Sequence, residues 1–419
     1  PTAERLRATL RRGPEALSPR AMRRALAELQ AVVDPRVSEV EGARLAHAFM
    51  QWYQQATNEE RHDVWLLMSD QFAPDGDKVR AARDHYESAL GTPEEVHAEI
   101  RLRRAFTSPR TRLLQRFAGT PDGIRFLVGL RADLLPHLKS DRRLLPLDAE
   151  LEGLLSTWFD VAFLELRRIS WDSPASLVEK LIQYEAVHDI RSWADVKNRL
   201  DSDRRCYGFF HPRMPDEPLI FVEVALMDGI ADSITPLLDE AGPEADLARA
   251  TTAIFYSISN TQPGLKGVSF GDSLIKHVVE TLKAEFPRLK TFATLSPIPG
   301  LRQWMSKNAP AELMAQLDEP LALPPKSGAR AQLLAHAARY LGREMDNGKP
   351  CDPVARFHLG NGARVERLNW AADPSPKGLK QSFGLMVNYL YDIKRLDKHR
   401  AMLAQGQIPI SGAIEDLYG

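Results

Sequence analysis

Three stretches of the chain hold residue types that could do chemistry. Ser296 stands in ATLSPIPGLRQWM, where the β-prone run LKTFATL meets two prolines and a glycine. Pro297 and Pro299 fix φ and lack a backbone N–H, so they are expected to stop the strand and hold the hydroxyl in a stiff turn. A serine needs a base or another partner before it reacts. No GxSxG elbow surrounds this one, and by itself it reads as a turn residue. His358, in ARFHLGNGA, is a candidate partner, expected at the end of an apolar strand just before a turn. A lone histidine there is more often a structural hydrogen-bonding group, but its ordinary pKa near ~6.5 suits proton transfer at neutral pH. His211, in CYGFFHPRMPDEP, is a weaker candidate, because Pro212 and Pro215 mark that stretch as a loop.

The third stretch is SNTQPGLKGVSFGDSLIKHV, Ser259 to Val278. A strand runs into a loop with Gly264, Gly267 and Gly271, and a helix follows. Glycines let a backbone approach a phosphate closely, and the partly positive helix end favours an anion. The spacing is neither GxGxxG nor a Walker A loop. The competing reading is a plain glycine-rich connection. Lys276 could add charge, although a solvated lysine is the simpler account.

Two textures of sequence must position these residues. Up to about Arg168 the chain reads as successive helices. SPRAMRRALAELQAVV opens on a Ser-Pro cap signal, and TPEEVHAEIRLRRAF is expected to start with Thr92 as N-cap and Pro93 as first residue. TPDGIRFLVGLRADLLPHL and DAELEGLLSTWFDVAFLELRRI continue the helical pattern. After about Ser170 the pattern becomes mixed. EPLIFVEVALM, TAIFYSISNT and KTFATLS read as strands, GDSLIKHVVETLKAEFP and RAQLLAHAARYLGREM as helices. VARFHLGNGARVERLNW reads as two strands around a GNG hairpin turn. The expected fold is an all-helical bundle over 1–168 followed by an α/β domain over 169–419, with the boundary near 165–175.

Composition narrows the function classes. The chain has 419 residues, 44% hydrophobic and 26% charged, with net charge −1. That gives no global basic bias toward nucleic acid or an anionic membrane. The basic runs RLRATLRR and RLRRAF are interleaved with acidic residues and fit solvated helix faces. Two cysteines, Cys206 and Cys351, form no disulfide framework or zinc motif, and no H-E-x-x-H or similar ligand spacing occurs, so no metal is expected. No apolar run approaches the ~18 residues of a transmembrane helix. Reduced thiols and the lack of an apolar signal core lead to a cytoplasmic expectation.

The ordered set of long motifs in the C-terminal half resembles malonyl-CoA decarboxylases. It comprises LIQYEAVHDIRSWADVKNRL, RRCYGFFHP, EPLIFVEVAL, AIFYSISNTQPGLKGVSFGDSLIKHVVETLKAEFP, LSPIPG, PVARFHLGNGA, LNWAADPSPKG and GLMVNYLYD. The resemblance implies an N-terminal helical domain that self-associates as a dimer or tetramer, and a C-terminal domain of the acyl-CoA acetyltransferase-like (GNAT) fold. It implies that Lys266, Gly267, Val268, Ser269, Phe270, Gly271 and Asp272 cradle the CoA pyrophosphate. It puts catalytic roles on Ser296, His358 and Tyr391, with Asn388 and Tyr389 near the pocket. Animal members carry a glutamate where this chain has Ser269, so that carboxylate is missing or replaced. The implied reaction converts malonyl-CoA to acetyl-CoA and CO2. The thioester carbonyl is the electron sink, so neither metal nor other cofactor is required. His358 would protonate the carbanion, and Ser296 would orient His358 or the malonyl carboxylate, or accept a proton. Two other readings remain: an acyl-CoA-dependent N-acyltransferase, and a non-catalytic CoA-binding scaffold.

Overall fold

The structure, a computed structural model, describes residues 16–268 and 274–418. The chain divides into two compact units. The first is Pro1–Phe163 with Pro212–Met214 and Gln262–Ser269. The second is Leu164–His211, Pro215–Thr261 and Phe270–Gly419.

The first unit is helical: α1 (Pro19–Val33), α2 (Glu39–Gln55), α3 (Asn58–Gln71), α4 (Gly76–Ala89), α5 (Glu95–Phe106), α6 (Pro109–Ala118), α7 (Gly123–Leu134) and α8 (Leu145–Trp158). Local signals start these helices. Ser18 accepts from Ala21 N–H with Pro19 opening α1, and Thr57 and Glu60 form a reciprocal capping box at α3. The expected cap at Thr92 falls two residues early: α5 begins after Glu94, and Thr92 instead accepts from Glu94 N–H in a turn. Leu29, Phe49, Trp65, Leu113, Phe117 and Leu127 are buried.

Asp63, Arg110 and Arg131 are charged side chains buried inside this unit. Arg131 is 1% exposed and pairs with Asp148 and Glu152, each at 2.8 Å. Its guanidinium also donates to the carbonyls of Gly264 (2.9 Å) and Lys266 (2.7 Å). Four acceptors offset the desolvation of the buried cation. The stretch Gln262–Val268 is thereby fixed against α7, and Gly264 lies so close that an added Cβ would stand 1.9 Å from Val128 O.

The second unit is built on a mixed sheet. In chain order it holds β1 (Glu165–Ile169), α9 (Ala175–Tyr184), α10 (Trp193–Arg199), β2 (Arg204–His211), β3 (Met214–Met227), α11 (Thr235–Leu238), β4 (Thr252–Asn260), α12 (Leu274–Glu285), β5 (Thr291–Thr294) and β6 (Ser296–Pro297). There follow α13 (Leu301–Asn308), α14 (Ala311–Gln316), α15 (Gly328–Gly342), the short hairpin β7 (Met345–Asp346) and β8 (Lys349–Pro350), and α16 (Pro353–Gly360). The chain ends with β9 (Arg364–Asn369), α17 (Pro376–Ser382), β10 (Met386–Leu390), α18 (Leu396–Ala404) and α19 (Gly412–Glu415). Strand order is β1-β2-β3-β4-β5-β10-β6, with β9 also on β10. β4 and β5 are parallel, joined through α12, whose Val278, Val279 and Leu282 enter the core on one face of the sheet. The opposite face is covered partly by Ile234 and Leu237 near and on α11, and partly by Val178, Leu181 and Val196 from α9 and α10. A helical N-terminal region and a mixed-sheet α/β domain are thus both present.

Four further expectations need correction. LELRRI is not helical: Glu165–Ile169 is a strand, paired antiparallel with Phe210–Cys206. CYGFFH is not a loop. It lies within β2 and every side chain of that strand is buried, so packing outweighs the prolines that follow. Pro297 does not end sheet pairing. Ser296–Pro297 pairs with Val387 and Met386 at the sheet's edge, where a strand tolerates a missing N–H. Most consequentially, His358 is not on a strand. PVARFHLG is helix α16, capped by Asp352, whose carboxylate accepts from Val354 N–H (2.9 Å) and Ala355 N–H (3.0 Å), with Pro353 as first residue. The GNG that resembled a hairpin stops this helix, with Gly362 at φ 85°.

Candidate active site

The site arises where two parallel strands part. Thr252–Phe255 of β4 pair with Thr291–Thr294 of β5, and the ladder goes no further. β4 continues to Asn260, while the chain after Thr294 turns to pair with β10 as β6. The gap between them is a cavity of about 200 Å³, lined by Phe255, Ser257, Asn260, Ser296, Pro353 and His358 among others.

On the other side of β5, Thr294 bridges the break between the pairings of β5 and β6 with β10. Its carbonyl accepts from the Asn388 side-chain amide at 2.7 Å, and its hydroxyl oxygen accepts from Tyr389 N–H at 3.1 Å. That same oxygen accepts from the Ser296 hydroxyl at 2.9 Å, which aims the serine. Asn388, expected near the pocket, is therefore a buried strut, bonded further to Ala231 O and Asn369. Ser257 and Ser259 of β4 hold the loop beside the cavity. Glu185 accepts from Ser257 Oγ and from Val187 and His188 N–H, and Ser259 Oγ accepts from Ala186 N–H.

The two residues singled out for chemistry meet here. Ser296 Oγ lies 3.2 Å from His358 Nε2. The other ring nitrogen, Nδ1, lies 2.7 Å from Tyr391 OH. Tyr389 stacks on the imidazole with centroids 4.7 Å apart, and Phe357 meets its edge. Ser296, His358 and Tyr391 are 5%, 4% and 2% exposed. Burial without a neighbouring countercharge lowers the His358 pKa to about 3, so the imidazole is neutral at physiological pH. Burial pushes the Tyr391 phenol up, so it keeps its proton. A row of neutral hydrogen-bonding groups thus stands beside the cavity, with Ser296 and His358 reaching its lining among apolar side chains. That arrangement can bind a polar acyl group and move a proton.

Of the loop expected to cradle a phosphate, Lys266–Val268 are described and Ser269, Phe270, Gly271 and Asp272 lie outside the described residues. The N–H groups of Lys266 and Val268 close turns onto Pro263 O and Leu265 O. Gly267 takes φ 85°, a conformation that favours glycine. His211 is buried at the end of β2 and is not among the residues lining the cavity. Among the described residues no cluster of three or more His, Cys, Asp or Glu could hold a metal ion, and no helix is long and apolar enough to cross a membrane.

Residues 162–418 match the sequence model of the malonyl-CoA decarboxylase C-terminal domain, and residues 72–159 that of its N-terminal domain. The chain belongs to the malonyl-CoA decarboxylase family. That family consists of carboxy-lyases. The mitochondrial malonyl-CoA decarboxylase of Rattus norvegicus is 37% identical over 340 residues, 71% of this chain and 68% of that protein. The mitochondrial enzyme of Anser anser anser is 36% identical over 344 residues, 71% of this chain and 66% of that one. The matched stretches thus take in about two thirds of these relatives. Among solved structures, the malonyl-CoA decarboxylase of Rhodopseudomonas palustris superposes with a TM-score of 0.86 at 39% identity, covering 94% of this chain and 99% of that one. The Agrobacterium vitis enzyme gives 0.86 at 40% identity, covering 94% and 100%.

Reasoning from sequence reached Ser296, His358 and Tyr391 but missed Thr294 and Asp352. The Asp-Pro pair before VARFHLG was a readable helix start. No local signal marked Thr294, whose partners Asn388 and Tyr389 come from the distant strand β10.

Proposed function

We propose that this chain decarboxylates malonyl-CoA to acetyl-CoA and CO2 in the cavity between the parted strands. The observation that carries the proposal is the hydrogen-bonded row Tyr391–His358–Ser296–Thr294, buried beside a cavity that an acyl group can enter. Membership of the malonyl-CoA decarboxylase family supports the choice of substrate.

The direction of the row follows from its ends. The Ser296 hydroxyl donates to Thr294, so its oxygen is left to accept from His358 Nε2–H. Tyr391 O–H then donates to Nδ1 and fixes the tautomer. In the reaction the bond between Cα and the carboxylate breaks. Its electrons pass into the thioester carbonyl, and CO2 leaves. The resulting enolate takes the Nε2 proton at Cα. A thioester enolate is a far stronger base than imidazolate, so a neutral imidazole suffices as acid. The imidazole then recovers a proton from water, and one proton is consumed per turnover. Ser296 holds Nε2 until substrate arrives and can then turn its hydroxyl to a malonyl oxygen. Donors aimed at the developing oxyanion contribute several kcal/mol in such sites. The loop Lys266–Asp272 is the proposed holder of the CoA pyrophosphate, on its glycines and its place between β4 and α12.

Labelled malonyl-CoA, with CO2 and acetyl-CoA followed together, tests the reading. Equal release of both products without any acceptor is expected. CoA binding without CO2 release would overturn it.

We also propose self-association through the helical region. α5 buries only Ala98, and Val96, Ile100 and Phe106 of that helix are exposed, as is nearby Leu90. Light scattering should give a multiple of the chain mass, reduced in Ile100→Asp. A monomeric wild type would overturn this.

A further inference from the structure

One buried carboxylate touches both segments that carry the reacting side chains. Asp352 is 1% exposed. Its Oδ1 accepts from Val354 and Ala355 N–H and so starts α16, which brings His358 into the cavity. Its Oδ2 accepts from Gly300 N–H at 3.2 Å, at the end of the turn that begins with Ser296. Tyr340 hydrogen-bonds the same carboxylate from α15. There is little room around this junction: a Cβ on Gly300 would stand 2.2 Å from Tyr340 OH.

The sequence distances are short on both sides. Ser296 reaches Gly300 through Pro297, Ile298 and Pro299, and the two prolines and the fully buried Ile298 leave that connection little freedom. His358 reaches Asp352 through a turn and a half of helix. The separation of Ser296 Oγ and His358 Nε2 is therefore set by two stiff arms pinned to one carboxylate.

We propose that Asp352 is a positioning residue for the decarboxylation, holding Ser296 and His358 at reacting distance by bridging the turn after β6 and the start of α16. It touches no substrate atom and acts through the other two. The inference rests on the reading of the site given above.

Two variants separate the bridge from the helix cap. Asp352→Asn keeps an oxygen for the Val354 and Ala355 amides but turns an NH2 toward Gly300 N–H, so the bridge is lost. Asp352→Ser is a good N-cap whose shorter side chain does not reach Gly300. Each is measured beside wild type for kcat, KM and thermal midpoint. A displacement near 1 Å costs on the order of 100-fold in rate. The expected result is kcat lowered roughly 10- to 100-fold in both variants, with KM within about two-fold and Asp352→Ser still folded at the assay temperature. A folded variant of either kind with wild-type kcat would overturn the proposal, as would a loss confined to KM. Wild type that releases no CO2 would instead overturn the function itself. A second readout needs no turnover: the 15N shifts of the His358 ring should move in Asp352→Ser as the Ser296 contact loosens. Unchanged shifts in a folded variant count against the bridge.

Discussion

Ser296 Oγ and His358 Nε2 stand 3.2 Å apart across 62 residues of chain, one on the edge strand β6 and the other on helix α16. Thr294 and Tyr391 hold the outer ends of this pair. The contact joins two separate candidates into one hydrogen-bonded group.

Removing either member should stop chemistry and spare binding. For His358→Gln and Ser296→Ala, acetyl-CoA formation is expected to fall by about 100- to 10,000-fold, the usual worth of a positioned proton donor or its partner. CoA affinity by calorimetry should stay within a few-fold. Normal turnover in either variant sinks the assignment.

The outer partners should matter less and in a graded way. Tyr391→Phe removes the donor to Nδ1 and frees the tautomer, and Thr294→Val removes the acceptor that aims Ser296. A kcat loss of roughly 10-fold or more is expected in each, with KM little changed. Thr294→Val also strands the Tyr389 N–H, at a cost of about 1–3 kcal/mol in a denaturant melt. Thr294→Ser should recover both properties, and failure to do so points to packing rather than hydrogen bonding.

The acid side of the pH profile follows from the buried imidazole. The His358 pKa falls to about 3 in the folded protein, whereas the unfolded chain takes up the proton near ~6.5. Its stability contribution is present above that value and is lost as pH falls toward 3. His188, lowered to about 4 mainly by burial, acts in the same direction. His358→Gln should therefore lose less stability than wild type between pH 6.5 and 4 in urea melts, and equal losses would refute the shift. For the same reason kcat/KM should show no inflection near pH 6.5 that disappears in His358→Gln.

In the helical unit, Gly264→Ala would put a methyl 1.9 Å from the Val128 carbonyl oxygen and 2.8 Å from its carbon. Backbone cannot yield cheaply, so a destabilisation of about 1–3 kcal/mol or more is expected in thermal or denaturant unfolding. A neutral result would mean that the Gln262–Val268 stretch does not pack closely on α7.

Much of the architecture was legible because it is local. The Ser18-Pro19 cap and the apolar spacing of α12 are written within a turn or two of chain, and β3 and β4 are runs of β-branched and aromatic residues. The misread segments are those where packing decides. LELRRI, with charges among its apolar residues, becomes a strand because β2 offers a partner ladder. VARFHLG, which alternates well enough for a strand, becomes a helix because Asp352 and Pro353 start one and Gly362 stops it.

The candidate site divides in the same manner. By itself, the sequence determined which side chains are present: a serine between a β-run and two prolines, a histidine before GNG, a tyrosine in NYLYD and a glycine-rich connection. Those are statements about residue type and order, and they suffice to reach the family. Only the tertiary structure decided that β4 and β5 part after Phe255 and Thr294, that the opening is lined by Ser296 and His358, and that burial leaves the imidazole uncharged. Distance and desolvation belong to the packed chain, because each depends on atoms contributed by segments far apart in sequence.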